Sequence, residues 1–107
     1  MKTTNGIHVY EPGEQPELPP GLPSTTDVES SFGFKIVKDG QGLKWAAASE
    51  QDFRSSEAER LGLRPDQIEI TMVCTQQGPT QCYGNCNGSM CVLVYSPQGA
   101  YYYCACR

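Results

Sequence analysis

Six cysteines fall in the last third of this 107-residue chain, at Cys74, Cys82, Cys86, Cys91, Cys104 and Cys106, in the spacing C-x7-C-x3-C-x4-C-x12-C-x-C. Sulfur at such positions can cross-link the chain, ligate a soft metal as thiolate, or attack a substrate. Three disulfides are the simplest use. A domain of this length buries a modest core, and each bridge that restrains the unfolded chain is typically worth about 2 to 4 kcal/mol. Many pairings are open to six cysteines, and spacing does not choose among them. Geometry narrows them. On a strand, Cys104 and Cys106 present two thiols about 7 Å apart on one face. In a helical turn, Cys82 and Cys86 present two thiols one turn apart, so the two pairs can bridge each other.

Other chemistries compete for the same sulfurs. The C-x3-C and C-x-C pairs together offer four thiolates to zinc or to an iron-sulfur cluster. That use suits a reducing compartment, and no basic-then-apolar export signal follows Met1. Zinc sites more often use C-x2-C knuckles, which this chain lacks, and Cys74 and Cys91 would remain as ordinary buried thiols. The expectation is therefore no metal and no other cofactor. Cys104 and Cys106 are also the one candidate redox dithiol, but a strand-borne pair lacks the helix dipole that lowers the thiol pKa in C-x-x-C motifs. His8, the single histidine, is far in sequence from every cysteine and reads as a solvated or edge-strand residue. Neither a nucleophile with a base in reach nor two carboxylates in different environments can be assembled, so no catalytic residue and no enzymatic activity are expected.

Three segments must position these residues. Residues 1–30 hold five of the eight prolines among Glu, Thr, Ser and Gly, and are expected to form a flexible acidic Pro-rich arm. An extended arm lying on the domain through Ile7, Val9 and Tyr10 is the competing reading. Residues 31–107 read as a single α+β domain. Phe32, Phe34 and Ile36 alternate up to the turn residues Asp39-Gly40-Gln41-Gly42, after which Leu43 and Trp45 resume the alternation as a β-hairpin. Ser49 with Asp52 makes a capping box opening a helix to about Leu61, which Gly62 ends. Phe53, Ala58 and Leu61 mark its inner face, leaving Glu57, Glu59 and Arg60 to solvent. Ile68, Ile70 and Met72 alternate as a half-buried strand that points Cys74 inward.

Residues 74–107 form a distinct Cys-rich subregion. They contain no Asp, Glu or Lys and one Arg, whereas residues 1–73 carry twelve acidic and seven basic side chains. Met90–Tyr95, the turn Ser96-Pro97-Gln98-Gly99, and Ala100–Cys106 make a second hairpin rich in β-branched and aromatic residues. Pairing Tyr95 with Ala100 sets Cys91 opposite Cys104. Tyr101 and Tyr103 then share a core face with Val92 and Val94, while Tyr102 shares the other face with Leu93 and the cysteines. Tyr83, Tyr95 and Tyr102 are the candidate binding residues, because flat amphipathic rings beside neutral groups such as Gln77, Asn87 and Gln98 suit a recognition patch.

From Cys74 to Cys106 the pattern resembles the cysteine-stabilised αβ motif of defensin-like peptides. The resemblance implies that Cys82 and Cys86 staple to Cys104 and Cys106, and that Cys74 pairs with Cys91. It departs from that family where Cys82-Tyr83-Gly84-Asn85-Cys86 is a poor helix former and where a cationic surface is lacking. A pairing logic carries over, and an antimicrobial activity does not. Separately, Leu61–Ile70 resembles the helix-loop-strand leaders of the nitrile-hydratase-like kind. That likeness implies a precursor whose modified peptide core is 74–107.

A net charge of −4 with basic residues scattered singly leaves no stripe for a phosphate backbone, so no nucleic-acid partner is expected. The longest apolar run, Met90 to Val94, is far below the roughly 20 residues of a transmembrane helix. The expectation is a small disulfide-stapled α+β domain with two β-hairpins, one helix and a flexible arm. Its expected role is that of a non-enzymatic, secreted or cell-surface recognition protein, effector-, inhibitor- or toxin-like, that binds a protein or carbohydrate surface. The alternatives are an intracellular thiolate metal domain and the peptide precursor.

Overall fold

A computed structural model describes residues 1–70 and 74–107. Among them the chain forms strands β1 (Lys2–Thr4), β2 (Ile7–Tyr10), β3 (Phe34–Asp39), β4 (Gly42–Ala47), β5 (Cys74–Gln76), β6 (Cys82–Cys86), β7 (Ser89–Ser96) and β8 (Tyr101–Cys106). Helix α1 (Glu50–Leu61) and a 3-10 turn (Pro65–Gln67) lie between β4 and β5. This is a mixed α+β domain. The main sheet runs β1-β2-β7-β8-β3-β4, every pair antiparallel, and β6 adds to β7 beside β5.

Both expected hairpins are present, and two more join them. Asn5-Gly6 links β1 to β2 and Asn87-Gly88 links β6 to β7, each with positive φ at both residues, the backbone a two-residue hairpin turn demands. In the β7–β8 hairpin the register differs from expectation. Ser96 faces Tyr101, so Cys91 lies opposite Cys106 and Leu93 opposite Cys104. The turn is Pro97–Ala100, with Ala100 at positive φ accepting the bend. A shift of two residues preserves parity, so each side chain keeps its expected face.

The expected flexible arm is corrected over its first ten residues. Ile7 and Val9 alternate inward against Val92, Val94, Tyr101 and Tyr103, and β2 pairs with β7 through His8↔Tyr95 and Val9↔Val94. Burying two branched apolar side chains and a row of ladder hydrogen bonds outweighs the entropy of ordering so short a segment. Residues 11–29 then cross the opposite face of the sheet, where Leu18, Leu22 and Val28 pack on Phe34, Trp45, Leu93 and Tyr102, and Phe32 returns to the helix side against Phe53. The sheet is therefore covered on both sides, α1 on one and this strap on the other.

Gly33 marks where the strap enters β3. Its φ is +115°, and a Cβ there would collide with the Tyr102 carbonyl oxygen while lying 2.7 Å from Tyr101 Cε1. The capping box forms as expected, with Ser49 Oγ accepting from Asp52 N and Asp52 Oδ2 accepting from Ser49 N. The Ser49 backbone N–H beside it holds the Asp52 carboxyl below the usual range. At its other end α1 stops at Gly62. The strand expected from Ile68 is not seen over residues 68–70, where Ile68 is buried without ladder pairing; its remainder, with Met72, lies outside the described residues.

Candidate functional site

Three disulfides close all six cysteines: Cys74–Cys91, Cys82–Cys104 and Cys86–Cys106, with Cα separations of 5.5, 5.7 and 5.6 Å. The pair-to-pair stapling that the defensin-like resemblance implied is present. Its local structure is not, because Cys82 and Cys86 sit on strand β6 rather than in a helical turn. In β8, Cys104 and Cys106 share one face, as a C-x-C on a strand requires. Two strands separated by a third lie about 9 to 10 Å apart in a flat sheet. The shorter distances from β6 to β8 mean that the β5–β6 pair folds over the sheet face and is pinned there.

These bonds correct the two alternative readings. A sulfur held in a disulfide is not a thiolate donor, so the four-thiolate metal site is not formed. Nor is 74–107 a separable core, since β7 and β8 lie at the centre of the sheet between β2 and β3.

The candidate binding tyrosines part company. Tyr83 stands on β6 and is 54% exposed. Tyr95 is half-buried and stacks on Tyr102 with ring centroids 4.3 Å apart. Tyr102 is 1% exposed, so its place as a surface binding residue is corrected: the strap covers the face that alternation alone left open. Around Tyr83 lies a groove of about 300 Å³ between the loop Glu11–Gln15 and the β6 approach Thr80–Cys82, lined also by Tyr10 and Leu93. Ion pairs anchor that loop, Arg107 to Glu11 and the N-terminal ammonium to Glu14. The hydrogen bond from that ammonium draws the Glu14 carboxyl below its ordinary range.

On the helix side a charged network is buried instead of solvated. Glu57 is 6% exposed and the Arg60 side chain 8%, against the expectation of a wetted face. Arg60 Nε and Nη2 donate to Glu57 Oε1 and Oε2 at 2.6 and 2.8 Å, a bidentate pair, and Nη2 also donates to the Cys106 carbonyl at 3.2 Å. The Tyr103 hydroxyl donates to Glu57 Oε1 at 2.7 Å and accepts from Ser56 Oγ at 3.0 Å. Burial opposes the Arg60 charge, but the hydrogen bonds and field of Glu57 outweigh it and raise its pKa. Burial, then the Glu57 charge, pushes the Tyr103 phenol far up. Every member is satisfied, so the network clamps α1 to β8. Its signal was in the sequence: Phe53, Ser56, Glu57 and Arg60 follow the i, i+3, i+4, i+7 rhythm, whereas Leu61, taken as inner, is 50% exposed at the helix end. Asn5-Gly6 and Asn87-Gly88 are further missed signals, and the second announces the hairpin that carries Tyr83 toward β7.

His8 is half-buried, and its strand is not at the edge of the sheet. It lies inside the sheet on β2, edge-on to Tyr95 at 5.7 Å, and its Nδ1 has no hydrogen-bond partner among the described residues.

The fold and these sites define a small three-disulfide α+β domain with a two-sided sheet. Among the described residues no helix is long and apolar enough to cross a membrane. No protein-family model and no solved structure matches the chain. It is similar to the uncharacterised protein YozP of Bacillus subtilis (strain 168), 35% identical over 92 residues that cover 83% of this chain and 84% of that protein. The chain belongs to the YozP family.

Proposed function

We propose that the chain is a non-enzymatic recognition protein of the cell exterior or cell surface, which holds a protein or carbohydrate surface against the Tyr83 groove. The observation that carries this reading is the pinning of β6 by two disulfides, which fixes an exposed tyrosine beside a groove lined by the neutral polar Gln15, Thr80 and Gln81 and by the ion-paired Glu11 and Glu14. Rigid support lowers the entropy lost when such a ring is covered. Tyr83, Gln81 and Thr80 combine an apolar ring with neutral donors and acceptors, which suits a sugar face or a polar peptide equally. Disulfides persist in oxidising compartments, which supports an exterior location. The titratable groups support a non-enzymatic reading: Glu57 and Arg60 saturate each other, and the one imidazole sits among tyrosines rather than beside a nucleophile.

Two measurements test it together. Intact mass of the protein recovered from producing cells should be about 6 Da below that of the reduced chain, with no alkylation before reduction. On glycan and surface-protein arrays the native chain should give saturable binding that Tyr83→Ala weakens at least about tenfold. Six alkylatable thiols in the cellular protein would overturn the exterior location. Array binding unchanged in Tyr83→Ala would overturn the site.

A further inference from the structure

The strap over residues 11–29 covers an aromatic row. His8, Tyr95, Tyr102, Trp45 and Phe34 succeed one another across β2, β7, β8, β4 and β3, with ring centroids 4.3 to 6.4 Å apart. What lies on that row is Gln15-Pro16-Glu17-Leu18-Pro19-Pro20-Gly21-Leu22-Pro23, four prolines in nine residues, with no regular secondary structure. Proline restricts the backbone before binding, so such a segment loses little entropy on docking; here it bends once, at Pro20-Gly21, where Leu22 N donates to the Pro19 carbonyl, and its other carbonyls stay free to accept. Here the Trp45 indole Nε1–H donates to the Pro23 carbonyl at 2.9 Å, and Leu18 and Leu22 pack beside it. An aromatic row with an indole N–H aimed at a carbonyl is the chemistry by which proline-rich peptides are held.

The attachment is slight. Among the described residues, that indole bond is the one hydrogen bond from residues 15–29 to the rest of the domain, and the strap's leucines are only half-buried. We infer that the aromatic face is a proline-rich-peptide binding site occupied in cis by residues 15–23, and that it accepts a proline-rich segment of a partner protein when the strap is displaced. The strap sets the threshold. Tethered at both ends, it competes at an effective concentration on the order of millimolar, so an external segment binds only if it fits better or is itself presented at high local concentration. This site adjoins the Tyr83 groove, which Gln15 and Leu93 also line, but Tyr83 itself is no member of the aromatic row, so the two proposals are tested by different residues.

Trp45 is the single tryptophan and reports on the site directly. The probe is a synthetic peptide with the sequence of residues 14–24, and the host is the full chain carrying Leu18→Ser and Leu22→Ser. Release of the strap should red-shift Trp45 emission, and the peptide should reverse that shift saturably, binding at least about tenfold more tightly than to the native chain. A peptide with serine at both leucine positions should not reverse it. Unchanged emission in the variant, or a red shift the peptide cannot reverse, would overturn the proposal. A second measurement uses the native chain, where folding is not in question. With several millimolar peptide the Leu18 and Leu22 amide resonances should move toward their unfolded positions, and resonances that stay fixed would overturn it as well. Tyr83→Ala should leave both results unchanged.

Discussion

The Glu57 carboxylate serves three partners at once, the Arg60 guanidinium, the Tyr103 hydroxyl and, through it, Ser56. Removing it strands a cation out of water beside an unpaired phenol. Glu57→Ala should therefore cost about 3 to 5 kcal/mol in urea unfolding, while the double replacement of Glu57 and Arg60 by leucine should cost much less, because it leaves no orphaned charge. The phenols make a second prediction. Burial, with the charges of Asp52 and Glu57, holds the Tyr101 proton in the folded chain, and burial with Glu57 holds that of Tyr103. The unfolded chain releases both near the ordinary value of about 10. Above that pH the unfolded state binds fewer protons than the folded one, so stability falls as pH rises, by about 3 kcal/mol per pH unit for the two phenols. Below pH 9 neither contributes any pH dependence. Urea midpoints measured from pH 8 to 11 test this, with a flat profile counting against burial of the two hydroxyls.

Among the elements, those with a strong local signal were legible in the sequence: the β3–β4 hairpin, the capping box of α1 and the Val-Leu-Val and Tyr-Tyr-Tyr strands of β7 and β8. What alternation could not supply was the second cover of the sheet. Three successive tyrosines, Tyr101, Tyr102 and Tyr103, are all buried because the strap lies over the face opposite α1. Reading the proline-rich segment as a free arm and reading Tyr102 as a surface residue were thus one error, since proline content reports backbone stiffness and not whether a partner surface exists. The buried Glu57 and Arg60 were illegible for a related reason: either residue alone belongs outside, and only the partner hydroxyl on β8 makes the pair fit within. The β5–β6 flap depends on its bridges in the same nonlocal way. Replacing Cys74 and Cys91 by serine together removes a cross-link closing 17 residues and should cost about 3 kcal/mol, read from the urea midpoint of the otherwise oxidised chain.

At the scale of the whole molecule, the sheet order joins the two ends of the chain. The last two strands supply the partners of β2 and β3, the core tyrosines and one half of every disulfide: Cys91, Cys104 and Cys106. A chain ending at Gly99 retains most of its residues, yet it keeps the β3–β4 hairpin without the strand that anchors it and α1 without its clamp. Such a truncation should show no cooperative unfolding transition by circular dichroism, where a sigmoidal transition would mean that the chain folds without its last strand.

That order has a consequence for the chain while it is being made. Long-range pairings such as His8 with Tyr95 cannot form until the ribosome has released nearly the whole sequence, so closure of the sheet is a single late event rather than a progressive one. Until then the nascent chain holds local hairpins and a nascent helix that unravel with little resistance. Cys74 can meet Cys91 before the last strand exists, but Cys82 and Cys86 must wait for β8, so oxidation too finishes only with the final residues.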